Sequence, residues 1–573
     1  MDYIIRGKNM NNSRLKFEKY FVNTSKFILL IVGCDVLISS ILFMIGISIS
    51  RANLLFSIII AFCLYKKIGN CSKNEWIKTL FLSLIIISIS IIINWNLYEI
   101  AYDGNLYHKF ATGILKMGYN PVYDRVSTYL NELNIPMESW YKDDVWVECY
   151  PKASWIFDAS IYVWTNWIES SKVFNSLIMF SCVGISLDYF LKKLSKINSF
   201  IISLIFSITP TSLSMVFSFY LDGALGNLLF ISIVLLLKIT DEMYNHENNH
   251  VIDFILLACS IILCGNLKIS GLGFEAIFCA MFFFWWIFKR KEFNLERKIF
   301  RISLFYSITV IFTILVVGWG TYINNILHYG NILYPMGMEG FDIANNLKSV
   351  GLENKKPLVQ ILCMIFVRTT TRDQIPNLEW KVPFTVDFEQ IKHCTYDVIR
   401  GGAGVFYSGI LILGILIYVH IMRGEKEKKY FDKTAINNIL IISIILLTLI
   451  PAGGQVRYSP YVFYFVNLTI YYLMLCTRKE EKIKKVVLSI MVILLTINLI
   501  PFTNYYFRFI QQKHIEQSAY VNMRENENGV YINTKLPGVV FNLKDRNIEY
   551  EYLINEKLKY HLDYLEFEYS MRK

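Results

Sequence analysis

Where one apolar run gives way to polar residues, the sequence reads Tyr102-Asp103-Gly104-Asn105-Leu106-Tyr107-His108, followed by Gly118-Tyr119-Asn120-Pro121-Val122-Tyr123. A carboxylate flanked by aromatic rings at a membrane surface can take a proton from an acceptor hydroxyl or hold a metal ion. A solvated loop acid would read the same way in this segment alone. Similar residues recur at the ends of other apolar runs: Asp143, Asp144 and Glu148-Cys149-Tyr150-Pro151-Lys152, then Tyr220-Leu221-Asp222-Gly223, Asn266-Leu267-Lys268 and Arg457-Tyr458-Ser459-Pro460. Taken singly, each is explained as an interface anchor. Brought together by spans packing side by side, they set carboxylates against cations, the makeup of a site for a phosphate-bearing lipid. Clustered oxygens on Glu148, Asp143 and Asp144 suit a divalent cation, magnesium or manganese, shared with Asp103; a solvated acidic loop also accounts for them.

Positioning these groups falls to the apolar runs between them. A hydrocarbon core of roughly 30 Å takes about 20 apolar residues of helix. That length cuts thirteen segments, approximately 27–49, 51–65, 78–95, 172–190, 199–214, 222–239, 251–266, 270–288, 302–323, 407–422, 435–451, 460–476 and 486–502. The second is short and opens at Arg51, so a shallow hairpin also explains it. Lys192, Lys193 and Lys196, then Lys289, Arg290 and Lys291, then Lys426, Lys428 and Lys429, then Arg478, Lys479 and Lys482 occupy alternate loops, which assigns those loops to the cytoplasm. The basic start agrees, and the apolar run after it is too long for a signal peptide. The loop from Asp241 to His250 has no Lys or Arg and is the exception. Thirteen spans with an inside start put the C-terminus outside.

The same parity sends three long polar stretches to the outer face: 96–171, 324–406 and 503–573. In the first, Trp155, Ile156, Tyr162, Val163 and Trp167 among polar residues read as a helix lying in the membrane interface. The last is charged and strand-like at Gly529-Val530-Tyr531-Ile532. The expected architecture is an all-α polytopic membrane protein of about 13 transmembrane helices. Residues 1–26 form a cytoplasmic N-terminal segment, 27–502 a transmembrane domain with outer loops 96–171 and 324–406, and 503–573 a small extracytoplasmic C-terminal domain. The expected location is the cell membrane.

Composition agrees. With 54% hydrophobic and 16% aromatic residues and a mean hydropathy of +0.40, the 573-residue chain is too apolar for soluble domains. Its net charge of +11 sits in short loops between apolar runs, which argues against a nucleic-acid partner. Most of the eleven cysteines lie inside apolar runs as small buried hydrophobes; Cys149, Cys363 and Cys394 look exposed, and a Cys363 to Cys394 disulfide and free thiols are both open. His246 and His250 are spaced like a helical metal pair, but their Asn-rich surroundings read as a loop. Asp35 and Glu275 fall within apolar runs, where helix-helix hydrogen bonding explains them as well as a proton path does. With no phosphate-binding glycine loop, an ATP-driven pump is disfavoured.

Residues 78–465 resemble the GT-C membrane glycosyltransferases that use polyprenyl-phosphate sugars, such as protein mannosyltransferases and lipid A aminoarabinose transferases. The likeness rests on Asp103 in the first outer loop with Tyr107 four residues on, on Gly330-Asn331-Ile332-Leu333-Tyr334-Pro335, which looks like their Gly-Asn-Pro-x-Tyr-Pro turn, and on Arg457-Tyr458-x-Pro460. The Tyr-Pro-Lys and Tyr-Leu-Asp-Gly segments are similar to those of uncharacterised bacterial members. This chain has Asp103-Gly104 where many members have Asp-Glu, and Ile332 where they have Pro.

The resemblance implies an inverting reaction in which an acceptor hydroxyl attacks the anomeric carbon of a lipid-phosphate sugar, with Asp103 as base. Lys268 and Arg457, and after them Lys152 and His108, are the expected holders of the donor phosphate; a structural hydrogen bond is the competing role for His108. Tyr107, Asp222, Tyr458 and Tyr334 are the expected substrate contacts. The acceptor would be a cell-envelope glycan, lipid or protein. Two other functions share these features: a flippase for a lipid-linked oligosaccharide, and an envelope polysaccharide polymerase, which the segment Arg368-Thr369-Thr370-Thr371-Arg372-Asp373 could suit.

Overall fold

A computed structural model of the chain describes residues 14–69, 72–136, 144–245, 251–293, 295, 298–335, 352, 355–371, 378–386, 388–392, 398–424, 430–449, 454–477, 481–553, 558–562 and 566–572. Asp143, His246, His250, Arg372, Asp373 and Cys394 lie outside these residues, as does the side chain of Asp144. Among the described residues, eight helices are long and apolar enough to cross a membrane: Phe17–Met44, Lys73–Trp95, Ile168–Phe190, Asp222–Tyr244, Ile269–Phe288, Ile299–Val317, Asp432–Leu449 and Lys482–Glu525. The chain is an all-α membrane protein, as its composition requires. The other five expected segments are also helical. Lys196–Ser207, Val251–Gly265, Tyr407–Arg423 and Pro460–Cys476 are shorter, and Arg51–Ile68 carries Arg51, Lys66 and Lys67.

The Arg14–Met44 helix is buried almost continuously from Val22 to Val36 and packs against the helices Arg51–Ile68, Lys73–Trp95, Phe174–Phe190 and Val251–Gly265. Lipid tails are as apolar as leucine, so such packing relies on close approach and hydrogen bonds rather than on the hydrophobic effect. Both are present. Ser25 lies against Gly184, where a Cβ would meet its Oγ at 2.0 Å. Ser57 Oγ donates to Asp35 Oδ1 (3.1 Å) and Ser232 Oγ donates to Glu275 Oε1 (2.8 Å), each pair joining two helices.

One end of the bundle is tied by ion pairs. Asp188 takes Lys26 (2.7 Å) and Lys238 (2.6 Å), and Lys238 also reaches Asp253 (2.8 Å). Lys192 pairs with Glu242, Lys193 with Asp241 and Lys196 with Glu18. The acids opening the anomalous Asp241 loop are thus the partners of the lysine cluster two helices earlier, which places the two loops at the same end.

At the other end sit the first long polar loop and the C-terminal unit. The Lys482–Glu525 helix has 44 residues, about 66 Å at the usual rise and roughly twice a hydrocarbon core, so it outruns the membrane, and its second half packs on the turns at this end, Phe509 against Ala101, Met215 and Tyr220. It leads into a sheet in the order Tyr550–Tyr552, Val530–Thr534, Phe567–Met571, Tyr560–Leu562, whose first pair is parallel and the others antiparallel. The connecting Val539–Lys544 helix docks on the first loop, with Phe541 against Phe110 and Gly538 N–H donating to Asn105 O at 2.8 Å.

Helix packing at this end corrects one expectation. The Ala153–Thr165 helix is buried from Ala153 to Tyr162, because it packs against the Lys109–Met117 and Arg51–Ile68 helices rather than lying half in lipid. Two cysteines also differ: Cys149 and Cys363 are buried, Cys149 beneath the packing of the Asp144–Cys149 helix on Trp319–Ile323.

Gly184→Val would drive a side chain into Ser25 and should lower the detergent unfolding temperature and folded yield sharply. Gly273→Ala, in the same membrane but with nothing within 4 Å of the added Cβ, should leave both unchanged or slightly improved; equal effects at the two positions would contradict this packing.

Candidate functional site

Each expected polar turn begins or ends a helix. Asp103 follows the Lys73–Trp95 helix, Asp222 opens Asp222–Tyr244, Lys268 precedes Ile269–Phe288, and Arg457 stands in the short turn Val456–Tyr458 before Pro460–Phe463. Because these ends share one end of the bundle, the side chains meet. Lys268 Nζ pairs with Asp222 Oδ1 and lies 5.1 Å from the centre of the Tyr458 ring. The Arg457 guanidinium lies over Tyr458 (4.7 Å) and Tyr220 (5.6 Å) and donates to Tyr458 Oη (2.6 Å) and Gln455 Oε1 (3.2 Å).

Asp103 stands beside this group, half-buried. Burial opposes the Arg457 charge, but the Tyr458 and Tyr220 hydroxyls and the Asp222 and Asp103 carboxylates hold it well above its ordinary range. Burial and then the Asp103 charge push the Tyr107 hydroxyl up; burial, Tyr458 and Asp103 do the same to Tyr150. The cluster therefore holds two acids and two cations within a wall of tyrosines. Asp222 is buried, and its Oδ2 has no hydrogen-bond partner among the described residues.

The segment after Asp103 is held unusually firmly. Gly104–His108 is a π-helical turn, and Asn105 donates to Glu99 O (2.8 Å) and Ala101 O (3.1 Å) while accepting from Lys109 (3.1 Å). Glu99 accepts from Ala101 N–H, Ser218 Oγ and Phe219 N–H. Glu169 takes Lys109 and Lys172, both at 2.5 Å, together with Glu99 N–H (2.9 Å) and Asn542 Nδ2 (3.0 Å). Gly104 is required here, since a Cβ would lie 2.7 Å from the Glu99 carboxyl carbon.

The other expected residues have different surroundings. Lys152 is buried, and its Nζ donates to Glu148 O (2.8 Å), Tyr150 O (2.8 Å) and Gly320 O (3.2 Å); its protons serve backbone carbonyls rather than pointing outward as a free cation. Burial lowers its pKa to about 8. His108 Nδ1 accepts from Trp155 Nε1 (2.8 Å), and burial followed by the Lys268 charge holds it well below its usual range, so it is a neutral hydrogen-bonding partner. Tyr334, joined to Pro335 by a cis peptide bond, stacks on Tyr329 at 3.7 Å, and its carbonyl accepts from Asn325. Glu148 pairs with Arg125 (3.1 Å) and accepts from Val126 N–H. Among the described residues no group of three His, Cys, Asp or Glu side chains stands ready for a metal ion.

Tyr150, Tyr220, Gln455 and the Glu99–Glu169 pair belong to this region without having been singled out as site residues. Tyr150 and Tyr220 lie within the motifs already quoted, two residues from Lys152 and Asp222, which was the available signal. Nothing local marks Glu99 and Glu169, whose partners lie up to 373 residues away. No protein-family model matches this chain, and no curated protein matches it either.

The Asp222–Lys268 pair invites a stability cycle. Lys268→Met leaves a buried carboxylate unpaired and should cost about 3 kcal/mol, whereas adding Asp222→Asn should restore most of that loss. Unfolding temperatures of the two variants in detergent test this; a double variant no more stable than Lys268→Met would mean that the pair carries no buried charge.

Proposed function

We propose that this chain transfers a sugar from a polyprenyl-phosphate donor to an acceptor hydroxyl of the cell envelope, as a thirteen-span protein of the GT-C type with its site on the extracytoplasmic face. The observation that carries this reading is the meeting of Asp103, Asp222, Lys268, Arg457 and Tyr458, drawn from four separate turns, at one end of the bundle. In the proposed reaction the acceptor oxygen bonds to the anomeric carbon from the face opposite the phosphate. The bond from that carbon to the phosphate oxygen breaks, the acceptor proton passes to Asp103, and the polyprenyl phosphate leaves as an anion.

A phosphate leaving group needs little help from an acid, so fixed positive charge should contribute most. Arg457 is buried and held by Gln455 and Tyr458, and Lys268 is partly exposed beside Tyr458; together they supply preorganised cations for that anion. Asp222 tethers Lys268 with one oxygen, while the other, buried, makes no hydrogen bond to a described residue. Asp103 sits on a turn fixed by Asn105, Glu99 and Lys109, which suits a base whose geometry must not wander. The acidic and basic groups gathered at one end favour transfer chemistry over transport, since Asp35 and Glu275, farther along the helices, are each hydrogen-bonded by a serine.

Mass spectrometry of lipid-linked sugars and envelope glycans should find one lipid-phosphate monosaccharide accumulating, and one glycan lacking that sugar, in cells carrying Asp103→Asn and in cells with no copy. The variant should be as abundant in the membrane as the wild type. Build-up of an oligosaccharide intermediate on the inner leaflet, with no monosaccharide change, would overturn the transferase reading.

A further inference from the structure

A charged cavity lies at the same end of the bundle, apart from the Asp103 cluster. It encloses 390 Å³ and is bordered by Trp95, Tyr98, Trp167, Lys513, Arg524 and Arg546. Three observations define its chemistry. The Lys482–Glu525 helix contributes Lys513, Gln517, Tyr520, Val521 and Arg524, spaced by four, three, one and three residues, so a single face of that helix is turned to it. The Arg546 guanidinium is sandwiched by rings, 4.2 Å from Tyr520 and 4.3 Å from Trp167, and donates to Tyr98 Oη and to Asn542 O (2.7 Å). Its orientation is therefore set before anything binds.

The third observation is charge balance. Lys513 donates to the neutral amide of Asn96 (3.1 Å), and none of the three cations forms an ion pair with a described residue. The acid in the lining, Asp545, already accepts from Tyr162 Oη (2.5 Å) and Ile168 N–H (2.6 Å). Glu516 is buried near Tyr98 and Tyr520 and does not line the cavity. The walls are thus net positive.

Depth decides between a ligand from solution and one from the bilayer. Trp95 is the last residue of the spanning helix Lys73–Trp95, is 44% exposed, and stacks on Trp167 with ring centres 5.6 Å apart. A stacked tryptophan pair at the end of a span marks the headgroup level of a membrane. We propose that this cavity binds the phosphate of an anionic phospholipid headgroup, with Lys513, Arg524 and Arg546 as its cations and the Trp95–Trp167 pair as its floor toward the acyl chains. The assignment is independent of the sugar-transfer reading. It does bear on the same loop, because Asn542, whose carbonyl accepts from Arg546, donates through its side chain to Glu169.

Native mass spectrometry of the full chain in detergent, offered phosphatidylglycerol or phosphatidylcholine of identical acyl chains, tests the proposal. The wild type should retain phosphatidylglycerol preferentially, and the double variant K513Q/R524Q, altered only at helix positions facing the cavity, should bind it at least about tenfold more weakly. Inorganic phosphate at millimolar concentration should not displace the lipid. Equal retention of the two lipids by the wild type, or an unchanged preference in the double variant, would overturn the site. Phosphate binding that is lost in the variant, with no preference between lipids, would overturn the headgroup assignment in favour of a soluble phosphate.

Discussion

The Glu169 carboxylate holds together the end of the bundle opposite Asp188. It lies fully buried between two lysines, each at 2.5 Å, while also accepting from the Glu99 backbone and from Asn542 of the C-terminal unit. Desolvating three charges costs several kcal/mol per ion, and removing one partner of such a cluster typically costs about 3–5 kcal/mol because the others are left uncompensated. That asymmetry makes the arrangement specific rather than merely stable. Lys109 is joined to Asn105, Asn105 to the carbonyls of Glu99 and Ala101, and Glu99 to the turn before Asp222. The turn that follows Asp103 and the one that leads to Asp222 are therefore set by one network.

The same network makes the C-terminal unit part of the site's support. Gly538 donates to the Asn105 carbonyl, Asn542 to Glu169, and Asp545 receives Tyr162 and the backbone of Ile168. A unit reached only at the end of the chain is thus built into the loop that follows the Lys73–Trp95 helix. The Ala153–Thr165 helix is covered by protein too, by the helices Lys109–Met117, Arg14–Met44 and Arg51–Ile68, although its own sequence alternates in the manner of an interface helix. Its amphipathicity is real, but the membrane is not what covers it.

The sequence made the turns legible because hydropathy marks where each span stops, and spans of similar length stop at similar depth. Asp103, Asp222, Lys268 and Arg457 follow from that rule alone. Lys152 and His108 obey the same rule yet are turned toward carbonyls and an indole, since depth says nothing about which way a side chain faces. The ion pairs of Glu169 and Asp188 were illegible for a different reason: their partners lie in helices whose adjacency only the fold specifies, and in isolation each reads as an interface anchor or a topology signal. Asp241 and Glu242 are the clearest case. Their loop breaks the positive-inside pattern until Lys192 and Lys193 are seen to neutralise them.

The distribution of charge along the bundle follows from how each group is satisfied. At the end holding Asp188 and the lysine cluster, Asp188, Asp253, Asp241, Glu242 and Glu18 are each met by a lysine, singly or in short chains. Midway, Asp35 and Glu275 are each met by one serine hydroxyl, and Asp35 Oδ2 has no further partner among the described residues. At the opposite end Asp222 likewise has one oxygen on Lys268 and one without a partner among the described residues, and Lys268 is partly exposed beside Tyr458. Stability alone would favour closing such a cluster, since a buried carboxylate oxygen without a donor is costly. Two acids and two cations gathered among tyrosine rings at that end are the feature on which the proposed transfer chemistry rests.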